Sequence, residues 1–182
     1  MDHIRYENIF PIPFFQHQIK DWGRKKQELL DLYKSVTSNI SDEDDTVCSD
    51  YYRDSSSYWD KIEPILKEDL DLFSSYTKTS YKQNGHWFEK SSFGMHHEIH
   101  NHGAIGYSAV CFIEYDESIH TPTKFVSPFN DFFNGNSLTH IPENITSGSL
   151  IFFPSSIHHY TSPNTSEKER IVLSFNLTPT TF

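Results

Sequence analysis

Thiols are scarce in this 182-residue sequence, which contains only Cys48 and Cys111. Cys111 lies in an apolar run from Ala109 to Ile113 that reads as a strand. This argues against a disulfide framework and leads to the expectation of a reducing, cytoplasmic setting. Basic residues are scarce too: 15 Lys and Arg against 25 Asp and Glu give a formal net charge of -10, and the cations are scattered. Nucleic acids and anionic membranes are bound chiefly by clustered Lys and Arg, so neither is an expected partner. No apolar stretch approaches the roughly 20 residues that cross a bilayer. The start of the chain, Met1 to Asn8, lacks the basic region and long apolar stretch of an export signal. There is no internal repeat. The acidic run Ser41 to Asp45 reads as a solvated loop, because nothing recruits it to other ligand-type residues.

What the chain has is aromatic mass: 15 Phe, 10 Tyr and 3 Trp make up for few Leu and Ala. Aromatic residues favour strands, so the expected class is α+β, mainly β. The length suits one domain over residues 1–182, with a helical N-terminal part and lead-in strand in 1–84 and a β-barrel core carrying the site in 85–182. Asn8 to Phe15, with two prolines, reads as an extended lead-in or edge strand. Lys20 to Val36 and Tyr58 to Tyr76 repeat apolar residues at three- and four-residue steps and read as amphipathic helices, the second kinked or started at Pro64. Ser38 to Ser57 between them reads as a loop. After the turn-like Asn84-Gly85, short alternating runs predict strands over 86–93, 95–102, 107–115, 124–127, 149–153, 158–161 and 170–177. Their spacing suits a sandwich or double-stranded barrel. His120 to Asn136 reads as a loop-rich insertion at the barrel mouth that shapes the substrate entrance.

Histidines carry the chemical signal. On a strand, residues two apart share a face, so His100 and His102 present both rings to one side. His158 and His159, adjacent at the start of another predicted strand, point to opposite faces, and only one can join them. A turn centred between Asn164 and Thr165 would fold the next strand back antiparallel and set Arg170 opposite His159. A cation beside a divalent metal calls for an anion between them, and the arginine fork suits a carboxylate. The same alternation also places His96 and Glu98 with His100 and His102, so a two-His-one-carboxylate set using His96, Glu98 and His159 is the rival reading. Imidazole suits Fe, Zn, Cu and Ni alike. His3, His17, His86, His120 and His140 read as surface or core residues. Trp87, Phe88, Tyr107, Phe129, Phe132 and Phe133 read as core or as the lining of an apolar pocket.

Several stretches resemble the iron(II)- and 2-oxoglutarate-dependent oxygenases of bacteria and their phages. They are His100-Asn-His102-Gly103, Ser108-Ala-Val-Cys-Phe112, Gly148-Ser-Leu-Ile-Phe-Phe-Pro-Ser155, His159, Pro163-Asn164 and Arg170-Ile-Val-Leu-Ser-Phe-Asn176. The match covers about residues 86–178, with the closing block its most specific part. The resemblance implies a double-stranded β-helix (jelly-roll, cupin-like) with the N-terminal helices packed outside. It implies iron(II) on His100, His102 and His159, and Arg170 on the distal carboxylate of the co-substrate 2-oxoglutarate. It further implies use of O2 and hydroxylation of a C-H bond in a small-molecule or peptide substrate, with release of succinate and CO2. Two positions depart from the pattern. His102 stands where the wider superfamily has Asp or Glu, which leaves the metal shell one unit more positive. Val172 stands where a Ser often assists the arginine, so Ser108, Tyr107 or Tyr160 would have to supply that hydroxyl. The alternatives are a cupin-like three-His metalloenzyme without 2-oxoglutarate, and a metal-free binding module on the same barrel.

Overall fold

The structure, a computed structural model, describes residues 10–38, 47–51 and 57–180. His3 and the acidic run Ser41 to Asp45 lie outside these residues. The elements in order are β1 (Phe15–Gln18), α1 (Trp22–Thr37), β2 (Cys48–Ser49), α2 (Trp59–Thr77), β3 (Tyr81–Ser91), β4 (His97–His100), β5 (Tyr107–Glu114), β6 (Lys124–Asn130), β7 (Ser137–His140), β8 (Ser149–Pro154), β9 (His159–Thr161) and β10 (Arg170–Pro179). They form a six-stranded sheet, β1-β8-β5-β10-β3-β2, and a four-stranded sheet, β4-β9-β6-β7, with antiparallel neighbours throughout. From β3 onward, consecutive strands alternate between the two sheets except at the β6–β7 hairpin, which is the winding of a double-stranded β-helix.

The large sheet is buried on both faces, and its strands sort residues by parity. Leu150 and Phe152 of β8, Ala109, Cys111 and Ile113 of β5, and Leu173 and Phe175 of β10 face the helices. Ile151, Phe153, Val110, Phe112 and Val172 face the small sheet. Double burial explains why these segments read as near-continuous apolar runs. The helices cover the outer face with Leu29, Leu32, Ile62, Leu66 and Phe73, and the Phe73 ring stacks on Phe152 at 4.0 Å and 5°. Pro64 sits within α2 without ending it. A buried ionic group ties three elements at this interface. Asp69 of α2 accepts from Lys25 Nζ of α1 at 2.9 Å and pairs with His17 Nε2 of β1 at 2.7 Å.

Three local expectations do not hold. Cys48–Ser49, inside the stretch Ser38 to Ser57 expected as a loop, pairs with Lys90 and Glu89 of β3 as the edge strand β2. Asn84-Gly85 is a bulge inside β3, not a turn: β10 pairs Asn176 with Gly85 and Leu177 with Gln83, so Asn84 is the extra residue. The segment His120 to Asn136 is also more regular than a loop, since β6 runs on to Asn130 and returns as β7. All four residues of β7 are exposed, so no apolar alternation announced it. Gly106, just before β5, holds φ +92°, and a Cβ there would meet Leu177 O at 2.1 Å, so only glycine lets β5 start against β10.

Candidate metal centre

β4 pairs with β9 through His97 opposite Thr161 and His100 opposite His159, with a register shift between them. Three residues of β4 thus span two of β9, which is a bulge. The bulge turns His97 and His100 to the same side, where their rings stack at 4.0 Å and 26°. The rival set is thereby taken apart: Glu98 is exposed, and neither it nor His96 joins the ligand cluster. His102 lies just past the strand, held by its backbone N-H donating to Ser155 O at 2.9 Å. His159 is buried on β9 against Phe153. His158 points away and is exposed, with Nε2 on the Asn101 side-chain amide at 3.2 Å.

His100, His102 and His159 bring one nitrogen each to within 4.8 Å of one another, the only such group of three among the described residues. His100 Nδ1 sits 2.7 Å from Glu98 O, and His159 Nδ1 2.9 Å from Ile157 O. Each Nδ1-H therefore donates to a backbone carbonyl and leaves Nε2 as the free donor, the arrangement that orients metal-ligating imidazoles. His102 Nε2 is 3.2 Å from His159 Nε2. Two nitrogens at ~2.1 Å from one ion, at right-angled to tetrahedral angles, stand about 3.0 to 3.4 Å apart. Burial lowers the pKa of all three rings, to about 4 for His102 and about 3 for His159, and the neighbouring histidines lower them further. At neutral pH they are uncharged and offer lone pairs, the state metal binding requires.

Arg170 opens β10 at 4% exposure. Its predicted place opposite His159 is wrong, because β9 and β10 lie in different sheets and Arg170 faces Ser91 of β3. The link between them is an arch pinned by Asn164, not a hairpin. The Asn164 amide donates to Ser91 O at 2.9 Å and Lys168 O at 2.8 Å, and its backbone pairs with Gly94 and Met95. The guanidinium still reaches the space between the sheets. Nη2 donates to Thr123 Oγ1 at 3.4 Å, and Thr123 lines the same cavity as the three histidines. Nε has no hydrogen-bond partner, and no carboxylate among the described residues forms an ion pair with this arginine. Burial pushes its pKa down, opposed by the charges of Glu89 and Tyr115. A buried cation with a free fork edge is suited to an anion that reaches it from the histidines.

The hydroxyl candidates separate by parity. Ser108 faces the cavity but is engaged, donating to Asn176 Oδ1 at 2.8 Å and lying 3.0 Å from Ser155 Oγ. Tyr107, one residue earlier, points to the opposite face, where its ring packs on Phe15, Phe73 and Tyr81. It belongs to the core under the helices, and its expected contact with a co-substrate is corrected. Trp87, one of the aromatics expected as core or pocket lining, does line the cavity, and Thr123, Glu89 and His97, not expected as site residues, join it. For Trp87 and Glu89 a signal existed, since strand alternation puts them on one face with Ser91. Phe132 and Phe133 are 87% and 86% exposed, so they belong neither to the core nor to the cavity.

The fold has known counterparts. A Pseudomonas putida prolyl-4-hydroxylase superposes with TM-score 0.60 at 12% identity, covering 91% of each chain. A Trichoplax adhaerens prolyl hydroxylase in complex with a hypoxia inducible factor peptide gives 0.59 at 11%, over 91% of this chain and 83% of that one. An alpha-ketoglutarate-dependent epimerase from nogalamycin biosynthesis gives 0.65 at 9%, over 91% and 77%. At such identities the likeness establishes the double-stranded β-helix. No curated protein matches the sequence. A family model described as "Putative 2OG-Fe(II) oxygenase" matches residues 85–176, just over half of the chain and the stretch that contains all three histidines and Arg170. The chain belongs to the 2OG-Fe(II) oxygenase family, whose enzymes use iron(II), 2-oxoglutarate and O2.

Proposed function

We propose that His100, His102 and His159 hold iron(II), that Arg170 binds the distal carboxylate of 2-oxoglutarate with Thr123 beside it, and that the enzyme hydroxylates a C-H bond with release of succinate and CO2. The observation that carries this is Arg170, a fully buried guanidinium with an unpartnered Nε, joined through Thr123 to the cavity of the three imidazoles. When bound, iron(II) and 2-oxoglutarate supply the oxidising power that activates O2. The protein's own part is to bind and orient. Backbone carbonyls of Glu98 and Ile157 aim two of the imidazoles, Arg170 fixes the far end of the co-substrate, and Val110, Phe153 and Val172 keep the space between them apolar. Thr123 takes over the hydroxyl role that Val172 cannot fill. Of the residues lining the cavity, His97, His100, His102 and Tyr160 are only partly buried, and a peptide or small-molecule substrate approaches from their side. A chain with only two cysteines, of which Cys111 is buried in the core, fits a reducing, cytoplasmic setting, and the acidic balance fits a partner other than nucleic acid.

Anaerobic titration of the iron(II) protein with 2-oxoglutarate should produce a weak visible charge-transfer band. Arg170→Ala should abolish that band at the same co-substrate concentration while iron(II) still binds. No band in the wild type, or an unchanged one in the variant, would refute the assignment.

A further inference from the structure

Glu89 is 5% exposed and lines the histidine cavity from the large sheet. A carboxylate so placed costs several kcal/mol in desolvation unless something answers its charge. No Lys or Arg among the described residues forms an ion pair with it, and Arg170 acts on it only at longer range. Its Oε1 accepts from Trp87 Nε1-H at 2.6 Å and from the Ser174 hydroxyl at 3.4 Å, and its Oε2 lies 3.3 Å from His97 Nδ1. Both rings that Glu89 grips lean on the metal set. The Trp87 indole packs against His102 at 5.1 Å between centroids, and the His97 imidazole stacks on His100 at 4.0 Å. One carboxylate thus braces two of the three imidazoles, each through an intervening ring. It stands outside the cluster itself, since only the three histidine nitrogens converge within 4.8 Å.

We infer that Glu89 is a positioning and charge-compensating residue of the metal centre: a carboxylate that does not ligate the ion but holds Trp87 on His102 and His97 on His100 and answers the ion's positive charge across them. The inference rests on the metal reading given above. Three imidazoles bring no negative charge to a divalent cation, so the ion keeps its full +2 in a poorly solvated cavity. A fixed carboxylate one ring away lowers that cost through the low local dielectric, and its hydrogen bonds to Trp87 and His97 fix the faces against which His102 and His100 rest. The negative charge that a carboxylate in place of His102 would bring is supplied instead from β3 of the facing large sheet, one layer out.

The test is titration of metal-free protein with Co(II), followed by calorimetry and by the visible d-d spectrum. Glu89→Gln keeps the shape and an acceptor for Trp87 but removes the charge. It should weaken Co(II) binding about tenfold or more and leave the d-d bands in place. Glu89→Asp, which keeps the charge, should recover much of the affinity. Equal affinity in wild type and Glu89→Gln overturns the inference. Displaced d-d bands in Glu89→Gln overturn it too, because they would make Glu89 a ligand. If Gln does not fold, Trp87→Phe serves instead: it keeps a ring on His102 but cuts the tie to Glu89, and an unchanged affinity there overturns the positioning role. Failure of the wild type to bind Co(II) at all would instead refute the metal reading, and so the two failures are distinguishable.

Discussion

At the scale of single residues, the site is defined by what burial does to charge. His159 and His102 are held neutral because protonation inside the cavity would strand a cation among apolar walls and other imidazoles. Their pKa values fall to about 3 and about 4, from the ordinary 6.5. In the unfolded chain both rings take up protons as the pH drops below 6.5, while in the folded protein they resist until the lower values. Their contribution to stability is therefore intact above pH 6.5 and is lost progressively as the pH falls toward 4 and 3. His97 runs the other way: Glu89 raises its pKa against the effect of burial, so it favours the folded state on the acid side. The comparison of wild type with a variant, not the raw slope, isolates His159. In metal-free protein, the urea midpoint of wild type should fall between pH 6.5 and 4, and that of His159→Gln should fall less steeply. Parallel slopes would show that His159 is not held neutral by burial.

At the scale of elements, the helices are anchored to the large sheet by Phe73 on Phe152 and by the Lys25, Asp69 and His17 group. Lys25 and Asp69 have side-chain exposures of only 4% and 3%, so removing one partner leaves the other charged and dry. Asp69→Ala should cost about 3 to 5 kcal/mol in urea unfolding, whereas replacing both Lys25 and Asp69 by apolar residues of similar volume should restore most of the loss. A double variant as unstable as the single one would contradict this account. The elements also show what a sequence can reveal. β3, β5, β8 and β10 of the large sheet and both helices are legible because period-two and 3.6-residue patterns follow from local burial, whereas β2, inside the stretch expected as a loop, is not. The convergence of His100, His102 and His159 is legible from strand alternation, but the place of Arg170 opposite His159 is not what the sheets give. The bulges were not legible, and they decide the details. One extra residue in β4 exchanges His96 and Glu98 for His97, and one in β3 turns an apparent Asn-Gly turn into strand. The parity of Tyr107 and Ser108 followed from pairing with β8 and β10, which no local pattern encodes.

At the scale of the molecule, the two sheets contribute different halves of the site. The small sheet and the loop after β4 carry the three histidines, and the large sheet carries Arg170 and Glu89. The two sheets are also unequal. The large one is buried on both faces, while β7 is exposed along its length and β4 at its two middle residues. The metal-free small sheet should be the part that opens first, since opening free energy follows buried apolar contact. A ligand that binds only the closed form stabilises it by about 2.7 kcal/mol when present at 100 times its dissociation constant. Hydrogen exchange should therefore show fast amides in β4, β7 and β9 of the metal-free protein, against slow ones in β5, β8 and β10. Adding a divalent metal should slow β4 and β9 about 100-fold, leaving β7 fast because no ligand comes from it. Adding 2-oxoglutarate with the metal should extend protection to the start of β10 and to Thr123, as the proposed contact of its distal carboxylate with Arg170 requires. Protection by 2-oxoglutarate without metal, or by metal at β10 before β4, would mean that the two halves are not joined through the anion.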